Sequence, residues 1–323
     1  MSALRLNMML AAALGLAVAG SLFAGRVWLD PASTPNAAVI LAQLRLPRAL
    51  LAAIIGAGLG ASGAAMQGYL RNPLADPGLF GIAPAAALGA VLCLWLDLAT
   101  QPFALPGFAL IGAGGAMALL ALIAGQTAGG THGLALFTLA GMMIASLAGA
   151  LTSLVISLAP NAFAMSEIVT WLMGALTDRG WSDVALAAPL TLAGLACLLA
   201  AGRGLDALVL GEETARSLGI APRPLLFWLV AGVGLTVGSG VAVAGIIGFV
   251  GLVVPHLVRP LTDRRPSTLL VPAALAGALL LVLADALVRV LPLVTELRLG
   301  IALSLIGAPF FLHLLLRMRR GLA

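Results

Sequence analysis

The chain has 323 residues, of which 62% are hydrophobic and 9% charged, with a formal net charge of +5 and a mean hydropathy of +1.13. Too little polar surface is available to cover a soluble globule of this size, so the composition requires a bilayer. All 17 basic residues are arginine, and the missing lysine excludes both a standard P-loop phosphate site and Schiff-base chemistry.

Most segments are apolar on every side and lack the period-two alternation of a membrane barrel, so the spans are expected as helices of ~20 residues. The fold expected is an all-α polytopic bundle forming one domain over residues 1–323. Met8 to Ala24 follows Arg5 and imitates a secretory signal, but it reads as a retained first span. Next come Leu50 to Leu70, Leu79 to Leu98, Ala104 to Ala124, Leu134 to Leu158 and Val184 to Ala201. Leu225 to Ile247, Leu269 to Val290 and Leu299 to Leu316 complete the clear spans. Ala162 to Leu176 and Gly248 to Val258 are too short for an easy crossing, and they read as a re-entrant or interfacial helix and a broken span. Cys93 and Cys197 lie inside apolar spans as packing residues.

Threading with the N-terminus inside places Arg5, Arg71, Arg203, Arg216, Arg223, Arg259, Arg264, Arg265, Arg317, Arg319 and Arg320 in the cytoplasm, as the positive-inside rule asks. It leaves Arg26, Arg45, Arg48, Arg179, Arg289 and Arg298 outside, among Trp28, Trp95, Trp171 and Trp181 of an outer aromatic belt. Arg289 has Asp285 one turn earlier as a partner. Arg45 and Arg48, in QLRLPR, have no acidic neighbour in sequence, and an acidic extracytoplasmic partner would balance them.

Within the spans the polar side chains are sparse, and no carboxylate or histidine chain crosses the midplane. Ion-driven transport usually needs such a relay, so a pathway that opens and closes fits better than an ion-coupled secondary transporter. Met142, Met143 and Ser146 would suit its lining, although methionine at this spacing also serves as core filler. His132, His256 and His313 do not cluster, and no pair has metal-ligand spacing, so no bound metal is expected.

The densest mixed-charge run is RGLDALVLGEETARSLGIAPR, from Arg203 to Arg223. Leu205, Leu208, Val209, Ala215 and Leu218 recur at near-helical spacing, Asp206, Glu212, Glu213 and Arg216 are charged, and Gly211 and Gly219 punctuate. That pattern predicts a short amphipathic helix pair shaped to dock, and a solvated loop between two spans satisfies the periodicity equally. Gly56 to Gly68 is echoed by Gly232 to Gly248 in a span of opposite direction, which gives an inverted-repeat character. Close helix packing needs the same small residues.

The segment RLPRALLAAIIGAGLGASGAAMQGYLRNPLADPGLFGI, from Arg45 to Ile82, resembles the FecCD-type permeases of bacterial ABC importers for ferric siderophores, haem and cobalamin. The resemblance continues at LGEETARSLGI, GIIGFVGLVVPHLVR, LADALVR and IGAPFFLHLLLR, in the family's order along the whole chain. It implies about ten transmembrane helices, a homodimer or paired halves, two cytoplasmic ABC ATPase subunits and a periplasmic substrate-binding protein. It places the chain in the bacterial inner membrane with both termini cytoplasmic. The chain itself would bind no cofactor, with ATP and Mg on the partner ATPase, and it would perform no covalent chemistry.

The resemblance also implies site residues. Coupling helices at about 205–219 would contact the ATPase through Leu208, Glu212, Glu213, Arg216, Leu218 and Gly219. Arg45, Arg48 and Arg289 match positions that face glutamates on the binding protein. Asn72, Pro73 and Leu74 match a cytoplasmic gate loop, and Thr131 and His132 fall where its second element would lie.

Overall fold

A computed structural model describes residues 2–25, 28–30, 34–127, 133–293 and 295–320. Thr131 and His132 lie outside the described residues. The described residues form an all-helical bundle without strands. Its helices are α1 (Ala3–Phe23), α2 (Ala37–Tyr69), α3 (Ile82–Trp95), α4 (Ala104–Thr127), α5 (Gly133–Ser157) and α6 (Ala162–Leu172). There follow α7 (Trp181–Val209), α8 (Glu212–Ser217), α9 (Pro222–Ala244), α10 (Val250–Val258), α11 (Pro266–Val290) and α12 (Leu299–Arg320).

Seven of these helices are long and apolar enough to cross a membrane, namely α1, α2, α4, α5, α7, α9 and α11. The apolar helices α3, α6, α10 and α12 fall short of that measure. In the most apolar 18-residue stretches of α2 and α9, 78% of residues are buried, against 11% in α1 and 17% in α5. The first pair is therefore the axis of the bundle, and the second pair carries the surface offered to hydrocarbon or to another subunit.

Around α2 pack α11, α7, α10 and α9, and α1 lies along α11. The glycines of α2 set these distances. A Cβ on Gly56 would stand 2.3 Å from the Gly277 carbonyl oxygen, so α2 and α11 touch backbone to backbone. Polar clamps add direction: Ser62 Oγ lies 2.6 Å from Thr236 Oγ1, and Thr191 Oγ1 lies 3.0 Å from Ser239 Oγ. The polar residues scattered through these spans thus tie α2 to α9 and α7 to α9, and they face one another instead of lining a polar channel.

Near its N-terminal end α2 carries a π-helical stretch, Ile40–Arg45, with Pro47 two residues further on. Proline has no N–H, so the ladder there is re-registered, and the Leu46 N–H reaches the Leu41 carbonyl. The bulge turns Arg45 and Arg48 toward the ends of α1 and α11.

A second irregularity breaks the span after α9. Ala244 ends that helix, Gly245 takes φ +72°, and α10 starts at Val250. Three segments meet at this break. The Ala175 N–H donates to the Ala244 carbonyl at 2.8 Å, and the Gly300 N–H donates to the Gly174 carbonyl at 3.2 Å. A Cβ on Gly245 would stand 2.3 Å from the Trp171 carbonyl oxygen, so only glycine admits this approach. The end of α6, the break and the start of α12 are thereby joined through backbone. The short apolar pieces at 162–176 and 248–258, expected as a re-entrant or interfacial helix and a broken span, are short helices, the first ending at this junction and the second starting just after it.

Candidate functional site

Two polar surfaces stand out, one at each end of the bundle. At the end where α2 begins and α11 finishes, Arg48 donates from Nε to Asp285 Oδ1 at 3.0 Å and from Nη2 to the same oxygen at 2.8 Å. It also donates from Nη1 to Glu296 Oε2 at 3.2 Å, and its Nη2 pairs with Oε1 of the same residue. Arg289 Nε lies 3.1 Å from Asp285 Oδ2, one helical turn away. The Thr177 hydroxyl donates to Glu296 at 3.4 Å.

Two of these arginines also hold α1. Arg45 Nη1 donates to the Leu22 carbonyl at 2.7 Å, and Arg289 Nη1 donates to the Ala24 carbonyl at 3.0 Å. Both oxygens belong to the C-terminal end of α1, where helical carbonyls lack partners and attract cations. The cluster therefore joins α1, α2, α11 and the loop before α12.

Burial decides its energetics. The Asp285 side chain is 1% exposed and that of Arg48 12%, so both charges are held out of water, and each needs the other. Glu296 lies in the loop outside the spans. Burial alone would raise its pKa, but the Arg48 hydrogen bond and charge outweigh burial and hold the carboxyl below its ordinary range.

This geometry corrects one argument for the docking residues. Arg48 does not lack counter-charge, because Asp285 and Glu296 supply it within the chain, while the Asp285–Arg289 pair is the one its spacing predicts. A pairing across 237 residues leaves no mark in a single sequence. Glu296 and Thr177 were invisible as site residues for the same reason, whereas the four-residue spacing of Asp285 and Arg289 was legible.

At the opposite end, α7 continues to Val209 and absorbs Arg203 to Val209. The expected helix pair is therefore one extended span end plus the short α8. Leu205 is fully buried, and Asp206 turns inward to accept from the Ser267 N–H at 2.9 Å and the Ser267 hydroxyl at 2.6 Å, capping the start of α11. Leu208 packs against the core as well.

What remains outward is α8 and its flanks. Gly211 and Gly219 take φ of +102° and +80°, so the two punctuating glycines make the turns that L-residues resist. Glu212 and Arg216 face each other at 3.8 Å, and Glu213 is exposed. Leu210 and Leu218 are 63% and 61% exposed beside these charges. A concavity of about 380 Å³ runs between α8 and Arg71, so the loop after α2 adjoins this surface.

That loop is a self-bonded turn. Arg71 takes φ +50°, Asn72 Oδ1 accepts from the Leu74 N–H at 2.9 Å, and the Asn72 carbonyl accepts from the Ala75 N–H at 3.1 Å. Asp76 then caps the turn into α3 by accepting from the Gly78 N–H at 2.7 Å. Burial pushes the Asp76 pKa up, with the Gly78 N–H pulling against it. Pro73 sits within this turn, half-buried. Met142, Met143 and Ser146 lie together on an exposed face of α5. His256 sets its ring edge-on to Phe310 at 6.1 Å, a packing contact. Among the described residues no group of His, Cys, Asp or Glu could hold a metal.

Comparison with known proteins agrees with this architecture. The FecCD transport family model matches residues 8–317. The Fe(3+) dicitrate transport system permease protein FecD of Escherichia coli strain K12 is 39% identical over 87% of this chain and 86% of its own length. The vitamin B12 import system permease protein BtuC of Escherichia coli O9:H4 is 38% identical over 94% of this chain and 93% of its own. A solved structure assigned to a metal-chelate type ABC transporter in an inward-facing conformation superposes with a TM-score of 0.89 at 32% identity, covering 97% of this chain and 99% of that one.

Proposed function

Because the chain belongs to the FecCD transport family of ABC importer permeases, we propose that it moves a ferric siderophore or related iron chelate inward across the bacterial inner membrane. In this reading a separate ATPase drives alternating access. The observation that carries the reading is the α8 surface, where leucines more than half exposed sit among charges beside the loop after α2. A partner that covers Leu210 and Leu218 and pairs with Glu212, Glu213 and Arg216 would remove apolar surface from water. Movement of that partner would be transmitted directly into α7, which runs unbroken from this surface to Trp181. A chain without lysine leaves ATP and Mg to the partner.

Arg45, Arg48 and Arg289 form the proposed docking end for an acidic periplasmic binding protein, whose carboxylates would meet the arginines there. Asn72, Pro73 and Leu74 form the proposed inner gate. The exposed face of α5 with Met142, Met143 and Ser146 would meet a second permease copy or homologous partner and line the pathway between them. The membrane-embedded acid that an ion-coupled carrier needs is not offered by Asp285, which is already held between two arginines.

Ferric chelate is favoured by the FecD relative and the metal-chelate neighbour, and the second reading is haem or cobalamin, supported by the hemin transport system permease protein HmuU of Yersinia pestis and by the BtuC relative. The test is ATP-dependent uptake into proteoliposomes holding the permease, its co-purified ATPase and its binding protein. Accumulation of radiolabelled ferric siderophore, with none of haem or cobalamin, is expected. The reverse selectivity replaces the first reading by the second, and no ATP-dependent uptake of any chelate by an intact complex overturns both.

A further inference from the structure

A cleft of about 500 Å³ lies between α1, α2, α7 and α11 and takes no part in either polar surface. Its floor is Ala53, Ala57 and Ala61, spaced four apart on one face of α2. Leu14 of α1 and Leu192 and Leu195 of α7 rise at its sides. Leu192 is 65% exposed, so the cleft opens to the surface of the bundle. These residues occupy the middle of α2 and α7, which places the cleft at hydrocarbon depth.

The chemistry of the walls limits what can fill it. At ~30 Å³ each the space would take roughly 15 waters. None would find a partner, because the one polar side chain in the lining, Thr191, is buried and shares its hydroxyl with Ser239. The walls expose no polar atom with which a peptide or headgroup could pair, and a flexible hydrocarbon chain is the occupant this chemistry fits. Leu14 brings α1 to the edge of the cleft, and α1 is the least buried of the seven candidate spans. We propose that the cleft is a binding site for one phospholipid acyl chain, drawn from the surrounding leaflet and held between α1 and α7 over the alanine floor of α2.

The test uses the complete complex in vesicles containing phosphatidylcholine with a diazirine on one acyl chain. After exchange into detergent and washing, photolysis and peptide mass spectrometry should locate lipid adducts on α2 and α7 around Ala57 and Leu195. Exposed Ile111 of α4 should have lost its adducts by exchange. Ala57→Phe fills the floor, and Leu195→Phe narrows the cleft from a half-buried position that folding tolerates. Each should cut the retained adducts roughly tenfold. Cleft adducts that wash away like those of Ile111, retention unchanged in both variants, or a peptide cross-linked in place of lipid would each overturn the assignment.

Discussion

The two polar ends of the molecule are built on opposite principles. At the α1–α2–α11 end the charges are buried and satisfy one another, with Arg48 held between Asp285 and Glu296. At the α8 end they are exposed and loosely paired, with Glu212 and Arg216 at 3.8 Å and two leucines bare beside them. A buried cluster fixes geometry and is costly to break, whereas an exposed one contributes little to stability and stays available to a partner. The first end therefore acts on the fold before it acts on any partner, and the second, in the function proposed, serves a partner.

The sharpest way to break this contrast is Arg48→Ala, which takes from buried Asp285 one of its two arginines and from Glu296 its arginine partner, and should cost about 3 kcal/mol. Thermal unfolding in detergent should show a large loss, and an unchanged midpoint would mean that the cluster does not hold the fold. Gly245→Ala adds a methyl where the Trp171 carbonyl already sits, at φ +72°, and should cost about 1–3 kcal/mol in the same assay. A smaller loss would show that the backbone junction yields.

Leu218→Ala should leave unfolding within about 0.5 kcal/mol of wild type, as surface changes do. ATP-dependent uptake should nevertheless fall roughly tenfold, about 1.4 kcal/mol of coupling. Loss of stability in step with uptake would erase the distinction between the two ends.

The smallest effect is a pH dependence. The Glu296 pKa is lowered in the folded protein, so its pairing contributes stability above the ordinary carboxyl range and loses it as pH falls through the folded value. The gap in unfolding midpoint between wild type and Glu296→Gln should be constant above pH ~5 and should close below pH ~4. A gap that widens with acid would contradict the assigned direction.

The helices were legible because hydropathy dictates them once water is excluded, and the turns at Gly211 and Gly219 were legible because glycine marks positive φ. The charged run was legible as a surface but not in its limits, since Asp206 has the composition of a solvated residue and turns inward to cap α11. Arg48 was visible as a charge without an acidic neighbour in sequence. Its partners were not, because Asp285 had already been matched to Arg289 by spacing and Glu296 has no local pattern. The junction of Gly174, Gly245 and Gly300 escaped notice because it is made of backbone, and in this chain glycine is also the ordinary residue of close helix packing.

The central claim is that α8 is where an ATPase engages this permease. Mass spectrometry of the chains that co-purify from native membranes in mild detergent, comparing wild type with Leu218→Asp, tests it most directly. We predict that a P-loop ATPase accompanies the wild type and is lost from a variant whose unfolding midpoint is unchanged. An ATPase retained equally by both, or absent from an intact wild-type complex, would contradict the claim.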